Sequence, residues 1–117
     1  CVDPFPTERY DLVVLSEVME HLGCDLFAFE RRVQEIVAPG GALLVTYPMG
    51  GGGSIGPCRY GEDVADPSVL QHDHLREFTD ETVPLFFKAL ELVDEGEIVY
   101  PAYGRIVMRL YRSPGCP

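Results

Sequence analysis

Basic residues are scarce in this sequence. Its 117 residues include 9 Lys and Arg against 19 Asp and Glu, which gives a formal net charge of -10 at pH 7. Such a surface repels phosphate backbones and anionic lipids, so the charge argues against nucleic acid as a partner. No apolar run approaches the ~20 residues that span a bilayer, and no charged-then-apolar leader opens the chain. The absences therefore argue against membrane and nucleic-acid functions.

Cysteine is also sparse, and its four positions are far apart: Cys1, Cys24, Cys58 and Cys116. No CxxC pair exists, which argues against a zinc ribbon or a redox motif. The cysteine density is below that of a disulfide-stapled secreted scaffold, so we expect reduced thiols in a cytoplasmic protein. The chain begins with cysteine rather than methionine, as a fragment, a processed product or a trimmed chain would.

What the sequence does contain is the pattern of a βαβ unit over residues 1–48. Residues 12–15 form a continuous apolar run, which is typical of a strand buried on both faces of a parallel sheet. Residues 39–41, Pro-Gly-Gly, then break the following helix and turn the chain. A second apolar run over residues 42–47 predicts the next strand, parallel to the first.

The helix between these strands is predicted over residues 25–38, with Asp25 as its N-cap. Apolar residues recur at spacings of three and four, which indicates one buried face. Those apolar residues are Leu26, Phe29, Val33, Ile36 and Val37. The residues expected on the solvent side are Glu30, Arg31, Arg32 and Glu35.

The second half of the chain divides into a loop and a closing hairpin. Residues 49–77 are rich in glycine and proline without a sustained period, as in a functional or mobile lid. Residues 78–117 predict a helix over 80–92, with Thr79 as N-cap and Pro84 near its start, and then strands. The strand pattern of residues 91–100 turns through Gly96, and the last strand covers residues 105–112. The fold class is therefore α/β, in the order β-α-β, long loop, α-β-β with an antiparallel closing hairpin.

Three blocks of this sequence resemble successive signatures of class I S-adenosylmethionine-dependent methyltransferases. They are YDLVVLSEVMEHL, IVAPGGALLVTYP and HLREFTDET, beginning at Tyr10, Ile36 and His74. The resemblance covers nearly the whole chain from about Phe5. It implies the C-terminal half of a Rossmann-like sheet, in which the two apolar runs are the fourth and fifth strands and the hairpin supplies the last two.

The family's cofactor-gripping half has no counterpart in the sequence. The glycine-rich loop after the family's first strand and the acid ending its second strand are both missing. The only glycine cluster, residues 50–53 followed by Ser54, comes after the fifth strand and lacks the GK[ST] of a phosphate loop. We interpret it as a flexible lid or linker, and we expect the isolated chain to be inactive.

Ser16 and Glu17 come directly after the first strand. Ligands of open α/β sheets bind beyond the carboxyl ends of the strands, where Tyr47, Pro48 and Met49 also fall. The resemblance implies that Ser16 and Glu17 line the cofactor pocket near its methionine and ribose portions. The alternative is that Ser16 simply ends the strand and caps the turn after it.

Glu17, Glu20 and His21 have the spacing that places three side chains on one face of a helical turn. Two carboxylates and an imidazole could bind a divalent metal such as Mg²⁺ or Zn²⁺. This stretch resembles the Glu-x-x-Glu-His pattern of metal-dependent O-methyltransferases of the ubiquinone-biosynthesis and small-RNA 2′-O-methyltransferase types. Those enzymes also use a distant histidine, and the resemblance implies that His74 takes this role. The alternative is that Glu20 and His21 only cap and orient the turn.

His21 and His74 are the candidate proton acceptors of the reaction. His72 is interpreted as a solvated loop residue, Phe78 as a core anchor, and Phe86, Phe87, Leu90 and Leu92 as core rather than a substrate pocket. The acids between residues 91 and 97 are expected on the solvated surface.

The sequence thus predicts methyl transfer from S-adenosylmethionine to a small-molecule acceptor by a larger domain that includes this chain. Oxygen is the favoured acceptor atom. The alternatives are a non-catalytic remnant and a fragment that works only with its N-terminal partner. With strands missing, residues 12–15 would lie along an exposed sheet edge. We therefore expect a homodimer through that edge, strand exchange or poor solubility.

Overall fold

The computed structural model describes residues 5–22, 25–49, 78–100 and 104–115. Their strands are β1 (Tyr10–Ser16), β2 (Val37–Pro48), β3 (Glu91–Tyr100) and β4 (Gly104–Arg112), and the α-helix is α1 (Leu26–Ile36). They form one sheet in the order β1-β2-β4-β3. The β1–β2 pair is parallel, while β4 is antiparallel to both of its neighbours. The predicted parallel βαβ unit and antiparallel hairpin are present, and the predicted 49–77 lid lies outside the described residues except for Met49.

Helix α1 begins where its cap was predicted. The Asp25 carboxylate accepts hydrogen bonds from the backbone N–H groups of Phe27 at 2.9 Å and Ala28 at 3.3 Å. These bonds satisfy two donors that have no partner within the helix. The buried residues include the predicted apolar set, Leu26, Phe29, Val33 and Ile36. The helix ends at Ile36 rather than Ala38 because β2 starts at once at Val37.

Glu30 was predicted on the solvent side of α1, and this is wrong. Its side chain is buried and accepts hydrogen bonds from the Phe87 backbone N–H and from Gln34 Nε2. Phe87 has a φ of 58°, in the left-handed region that a non-glycine residue seldom occupies. The Glu30 carboxylate therefore stabilises an unfavourable backbone conformation of another segment, an interaction that no helical pattern reveals.

The Pro-Gly-Gly segment was predicted to stop the helix and turn the chain, but the helix has already ended at Ile36 and residues 39–41 lie within β2. Tyr10 pairs with Val37 and Leu12 with Ala42, so β2 accommodates additional residues opposite Asp11. Gly40 has a φ of 74°. A Cβ on Gly41 would lie 2.8 Å from the Ala38 carbonyl oxygen and 3.0 Å from that of Asp11. The two glycines thus allow a bulge and a close backbone approach.

The predicted helix over residues 80–92 is wrong. Only a single 3₁₀ turn forms, Val83–Leu85, and β3 begins at Glu91. The N-cap of this turn is Thr82 rather than the predicted Thr79, and it makes no side-chain capping bond. Thr79 belongs to the turn before it, where its hydroxyl accepts from the Thr82 N–H at 3.3 Å and its own N–H donates to the Thr82 hydroxyl at 2.8 Å. Pro84 supplies no N–H to a helix, and the left-handed Phe87 directs the chain away from one.

Aromatic side chains, instead of a helix, attach this segment to the sheet. Three phenylalanines of this segment are buried: Phe78, Phe86 and Phe87. The ring centroid of Tyr47 on β2 lies 5.0 Å from that of Phe78 and 6.5 Å from that of Phe86. Phe78 therefore anchors its block in the core, as predicted, and Phe86 and Phe87 are core residues. Leu92, predicted to be core, is 42% exposed.

Strand β1 was predicted to be buried on both faces, and this is wrong for the described chain. Val13 and Leu15 pack against the core, but Leu12 is 58% and Val14 51% exposed. Strand β1 also lies at the edge of the sheet, as expected if strands were missing. In β3 the chain does not turn at Gly96, which lies within the strand and pairs with Met108.

Candidate active site

The carboxyl ends of the parallel strands β1 and β2 are joined by a clamp between Glu17 and Thr46. The Glu17 backbone N–H donates to Thr46 Oγ1 at 2.9 Å, and the Thr46 hydroxyl donates to Glu17 Oε2 at 3.3 Å. Glu17 has a φ of 54°, the left-handed conformation. Such backbone strain costs on the order of 1–3 kcal/mol and is concentrated at functional sites. Ser16, which pairs with Thr46 in the sheet, is exposed beside this clamp.

Thr46 is not among the residues predicted from the sequence, although it takes part in the clamp. The available signal was a single hydroxyl residue near the end of the apolar run that forms β2. Its partner on β1 could not be inferred from this, because register between two distant strands depends on how the whole unit packs.

The turn after the clamp places one carboxylate inside the protein. The residues Met19–His21 form a 3₁₀ turn, in which Met19 and Glu20 are fully buried. Among the described residues, neither Glu20 oxygen has a hydrogen-bond partner beyond its own backbone. Burial and, to a smaller extent, the negative charge of Glu17 raise the Glu20 pKa to about 7, against the opposing effects of a hydrogen bond from its own backbone and of the charge of His21. Near neutral pH this carboxyl is therefore poised between its two protonation states.

His21 lies on the outer side of the same turn. Its Nε2 is 3.5 Å from Glu20 Oε1, and 42% of its side chain is exposed. Burial raises the pKa of Glu17, and this rise is opposed by the Thr46 hydrogen bond and by the charge of His21. The three predicted residues thus influence one another electrostatically. They do not share one face, since Glu20 points inward and His21 outward.

The predicted metal centre is not supported by the part of the chain that the structure describes. Within residues 5–22, 25–49, 78–100 and 104–115, no three His, Cys, Asp or Glu side chains form a group that could hold a metal ion. His74, the predicted distant ligand, lies outside these ranges, as does His72. The N-cap residue of the turn, Val18, makes no side-chain capping bond, and the alternative role of Glu20 and His21 in capping and orienting the turn stays a prediction.

A groove of about 400 Å³ opens from the carboxyl end of β2, on the sheet face that α1 covers. The Met49 N–H donates to the Arg105 carbonyl oxygen at 2.8 Å, which joins β2 to the start of β4. Arg105 pairs with Asp80 at 2.6 Å and with Glu97 at 3.2 Å. The acids of β3 are exposed, as predicted, but Glu97 is also one wall of this charged groove.

Three solved structures are similar to this chain in fold. The N-methyltransferase NodS from Bradyrhizobium japonicum WM9 matches with a TM-score of 0.60 and 20% identity, covering 95% of this chain and 55% of that one. Its complex with S-adenosyl-L-homocysteine matches with a TM-score of 0.62 and 18% identity, covering 93% and 48%. TehB from Haemophilus influenzae matches with a TM-score of 0.55 and 17% identity, covering 91% and 36%.

These likenesses show a fold of the class I methyltransferase type. The chain spans about half the length of the structures that it matches. No protein-family model and no curated protein sequence matches it. In the described part of the chain, no helix is long and apolar enough to cross a membrane.

Proposed function

We propose that this chain is the acceptor-side half of a domain that transfers a methyl group from S-adenosylmethionine to a small molecule, with an oxygen favoured over nitrogen or carbon as the acceptor atom. The observation that carries the proposal is the strained Glu17, clamped to Thr46 across the carboxyl ends of two parallel strands. Ligands of open α/β sheets bind at this edge. The proposed setting is the cytoplasm, where the four dispersed cysteines would stay reduced.

Two described residues would hold the cofactor. Ser16 presents a hydroxyl at the exposed end of β1, and Glu17 presents a carboxylate whose orientation is fixed by Thr46. Both groups can form hydrogen bonds with the polar amino-acid and ribose parts of S-adenosylmethionine. When bound, this cofactor supplies an electrophilic methyl group. Because Glu17 is already oriented, it loses little conformational freedom on binding a ligand.

The remaining task of the site is to hold the acceptor and to take its proton. His21 is exposed and lies 3.5 Å from the Glu20 carboxylate, which could stabilise a protonated imidazole. His74 is the second candidate base. A divalent ion on Glu17, Glu20, His21 and His74 would lower the pKa of an acceptor hydroxyl. Among the described residues, however, Glu20 points inward and His21 outward, so they do not by themselves form a site for such an ion.

A second candidate function is a non-catalytic remnant of the same fold, used for assembly or regulation. It is favoured by one observation, namely that the chain corresponds to only about half of the structures it resembles. In this case Ser16 and Glu17 would contact no cofactor.

Calorimetric titration with S-adenosylhomocysteine separates the two functions. The 117-residue chain should bind weakly, whereas the polypeptide in which it is joined to a cofactor-binding half should bind in the micromolar range. Glu17→Ala in the larger polypeptide should weaken binding at least tenfold, and the matched control Glu35→Ala, on the exposed side of α1, should not. No binding by the larger polypeptide would favour the remnant, and tight binding by the isolated chain would refute the division into halves.

The metal is tested separately by thermal unfolding with and without Mg²⁺ or Zn²⁺. A bound ion should raise the melting temperature, and the Glu20→Ala, His21→Ala double variant should abolish the increase. If no increase occurs, or if the double variant retains it, the metal site is refuted. Cofactor binding is not affected by this result.

A further inference from the structure

The aromatic segment, residues 78–87, is attached to the rest of the chain at both of its ends. At its start, Phe78 forms a parallel β-bridge with Met49, directly after β2. At its last residue, the Phe87 N–H donates to a carboxylate oxygen of Glu30 on α1. The segment therefore lies between one backbone contact with the end of β2 and one hydrogen bond to α1.

Phe87 has a backbone conformation that is unfavourable for any residue with a Cβ. Its φ of 58° falls in the left-handed region. Its N–H is held by Glu30, and its ring is fully buried, with its centroid 5.6 Å from that of the Tyr111 ring on β4. Loss of the bond to Glu30 would favour a return of φ to negative values. That return would redirect the chain on both sides of Phe87, so it would move the segment as well as the ring.

The acceptor of this bond is a carboxylate that folding has taken out of water. Glu30 is 8% exposed, and its Oε1 accepts from both the Phe87 N–H and Gln34 Nε2, the latter at 3.0 Å. An ionised carboxylate accepts about four hydrogen bonds in water, so two bonds to one oxygen replace only part of its hydration. The buried position therefore favours the neutral carboxylic acid.

The titratable groups around Glu30 come from its own helix and from the elements packed against it. Arg31 follows it on α1, Lys88 directly follows the aromatic segment, and Tyr47 lies on β2. Burial raises the pKa of Glu30, against the opposing effects of the hydrogen bonds that it accepts and of the charges of Arg31 and Lys88. Burial also raises the pKa of Tyr47, which therefore stays neutral. With the segment attached, Glu30 thus binds its proton more tightly than it would in water.

Protonation of Glu30 and attachment of the segment therefore favour each other. Below the ordinary Glu30 pKa of 4.5, the carboxyl is neutral whether or not the segment is attached, and its contribution to attachment is complete. As the pH rises through the raised pKa, Glu30 ionises and gains hydration by leaving its buried position. The contribution is then lost, and the Phe87 N–H loses its acceptor.

The segment also forms one wall of the charged groove at the carboxyl end of β2. It contributes Asp80, Val83 and Pro84 to the lining, while β4 contributes Arg105 and Val107 among others. The three residues of the segment lie between its two attachments. Movement of the segment would therefore change the width of the groove.

We propose that the bond between Glu30 and Phe87 is a pH-sensitive latch, which holds the aromatic segment against the sheet and thereby sets the width of the groove. Neutral Glu30 keeps the latch closed. When Glu30 is ionised it moves toward water, Phe87 leaves its left-handed conformation, and the segment moves away from β4. The latch acts on the groove whatever molecule binds there, so it does not rest on the proposed methyl transfer.

Hydrogen–deuterium exchange of the 117-residue chain, followed by NMR without cofactor, tests the latch. Every chain in the comparison carries Glu20→Gln, which removes the pH dependence expected from that buried carboxyl. The amides of Phe87, Val83 and Leu85 are hydrogen-bonded and report on the segment. After correction for the intrinsic pH dependence of exchange, their opening should increase at least about fivefold from pH 4.5 to pH 8, and that of β2 should change less.

Two substitutions separate the charge of Glu30 from its hydrogen bond. Glu30→Gln keeps an oxygen that can accept from Phe87 and removes the charge, so the segment should exchange slowly at both pH values. Glu30→Leu removes the acceptor, and the Phe87 amide should exchange at least about tenfold faster at both. The control Glu35→Gln changes an exposed carboxylate on the same helix and should leave the pH dependence intact.

Three results would overturn the latch. They are a pH dependence that Glu30→Gln retains, a Phe87 amide that stays slow in Glu30→Leu, and opening of the segment and of β2 by the same factor, which would indicate global unfolding. If Glu30→Leu does not fold, the comparison with Glu30→Gln decides by itself. The titration with S-adenosylhomocysteine is a separate measurement, so the latch and the proposed function can fail independently.

Discussion

The two faces of one sheet differ in how they are completed, although both are apolar in sequence. On the face under α1, side chains from three different parts of the chain interlock, and Val45, Tyr47 and Phe86 are almost fully buried. On the opposite face, called here the open face, Leu12 and Val14 remain half exposed in the part of the chain that the structure describes. A continuous apolar run such as residues 12–15 therefore indicates that a strand has two apolar sides, whereas the burial of each side depends on the segments that pack against it.

The largest effect should come from the centre of the covered face. Phe86→Ala removes a buried ring that contacts Phe27 at 5.5 Å and Phe78 at 5.9 Å, and it should lower the free energy of unfolding by about 3–5 kcal/mol. Urea denaturation measures the change. Phe27→Ala is the control, because this ring is 41% exposed and should cost clearly less. Equal costs would mean that the aromatic segment does not form the covered layer.

The buried Glu20 carboxyl should make the free energy of unfolding of the protein depend on pH. The folded-state pKa of Glu20 is raised to about 7, so folding favours its protonated form. That contribution is complete below about pH 4.5 and is lost as the pH rises through 7, a decrease of up to about 3 kcal/mol in the free energy of unfolding. Comparing Glu20→Gln with the original chain by urea denaturation from pH 4.5 to 8 isolates this term.

In that comparison, Glu20→Gln should flatten the decrease, while the exposed control Glu81→Gln should retain it. An unchanged pH dependence in Glu20→Gln would show that this carboxyl is accessible to water in the folded protein.

A smaller effect is expected from the helix that covers the sheet. Asp25→Ala removes the acceptor for two backbone N–H groups and should cost about 1 kcal/mol. Asp25→Asn keeps a capping oxygen and should lose only a few tenths of that amount. Thermal unfolding followed by circular dichroism ranks the variants. If Ala and Asn behave alike, the cap does not contribute to stability.

The smallest effect should come from the open face. Val14→Ala in the isolated chain should change the free energy of unfolding by less than about 0.5 kcal/mol, because the side chain is half exposed. The matched control Val45→Ala removes a fully buried side chain from the other face of the neighbouring strand and should cost about 1.5–3 kcal/mol. A large loss in Val14→Ala would mean that the open face is already covered.

Some features of the candidate site can be predicted from the sequence, and others depend on how distant segments pack. Ser16, Glu17, Glu20 and His21 could be proposed from their position after an apolar run, because the carboxyl ends of parallel strands form a recognisable edge. Three features of the site could not be predicted in this way: the clamp from Thr46, the inward direction of Glu20 and the exposure of His21. Each depends on the register of β1 against β2 and on the path of a short 3₁₀ turn.

The sequence by itself determined the local elements of this protein: the strand runs, the Asp25 cap and the alternating last strand. Each is governed by interactions within a few residues of the chain. Only the tertiary structure decided that Glu30 is buried, that residues 80–90 form turns, and that Leu12 and Val14 are exposed on one face of the described sheet. Glu30 receives the N–H of Phe87 from a distant segment, and the aromatic contacts with Tyr47 outweigh the helical spacing around Pro84. Long-range packing of this kind overrides a local periodicity, which is why the open face too could be located only in the folded chain.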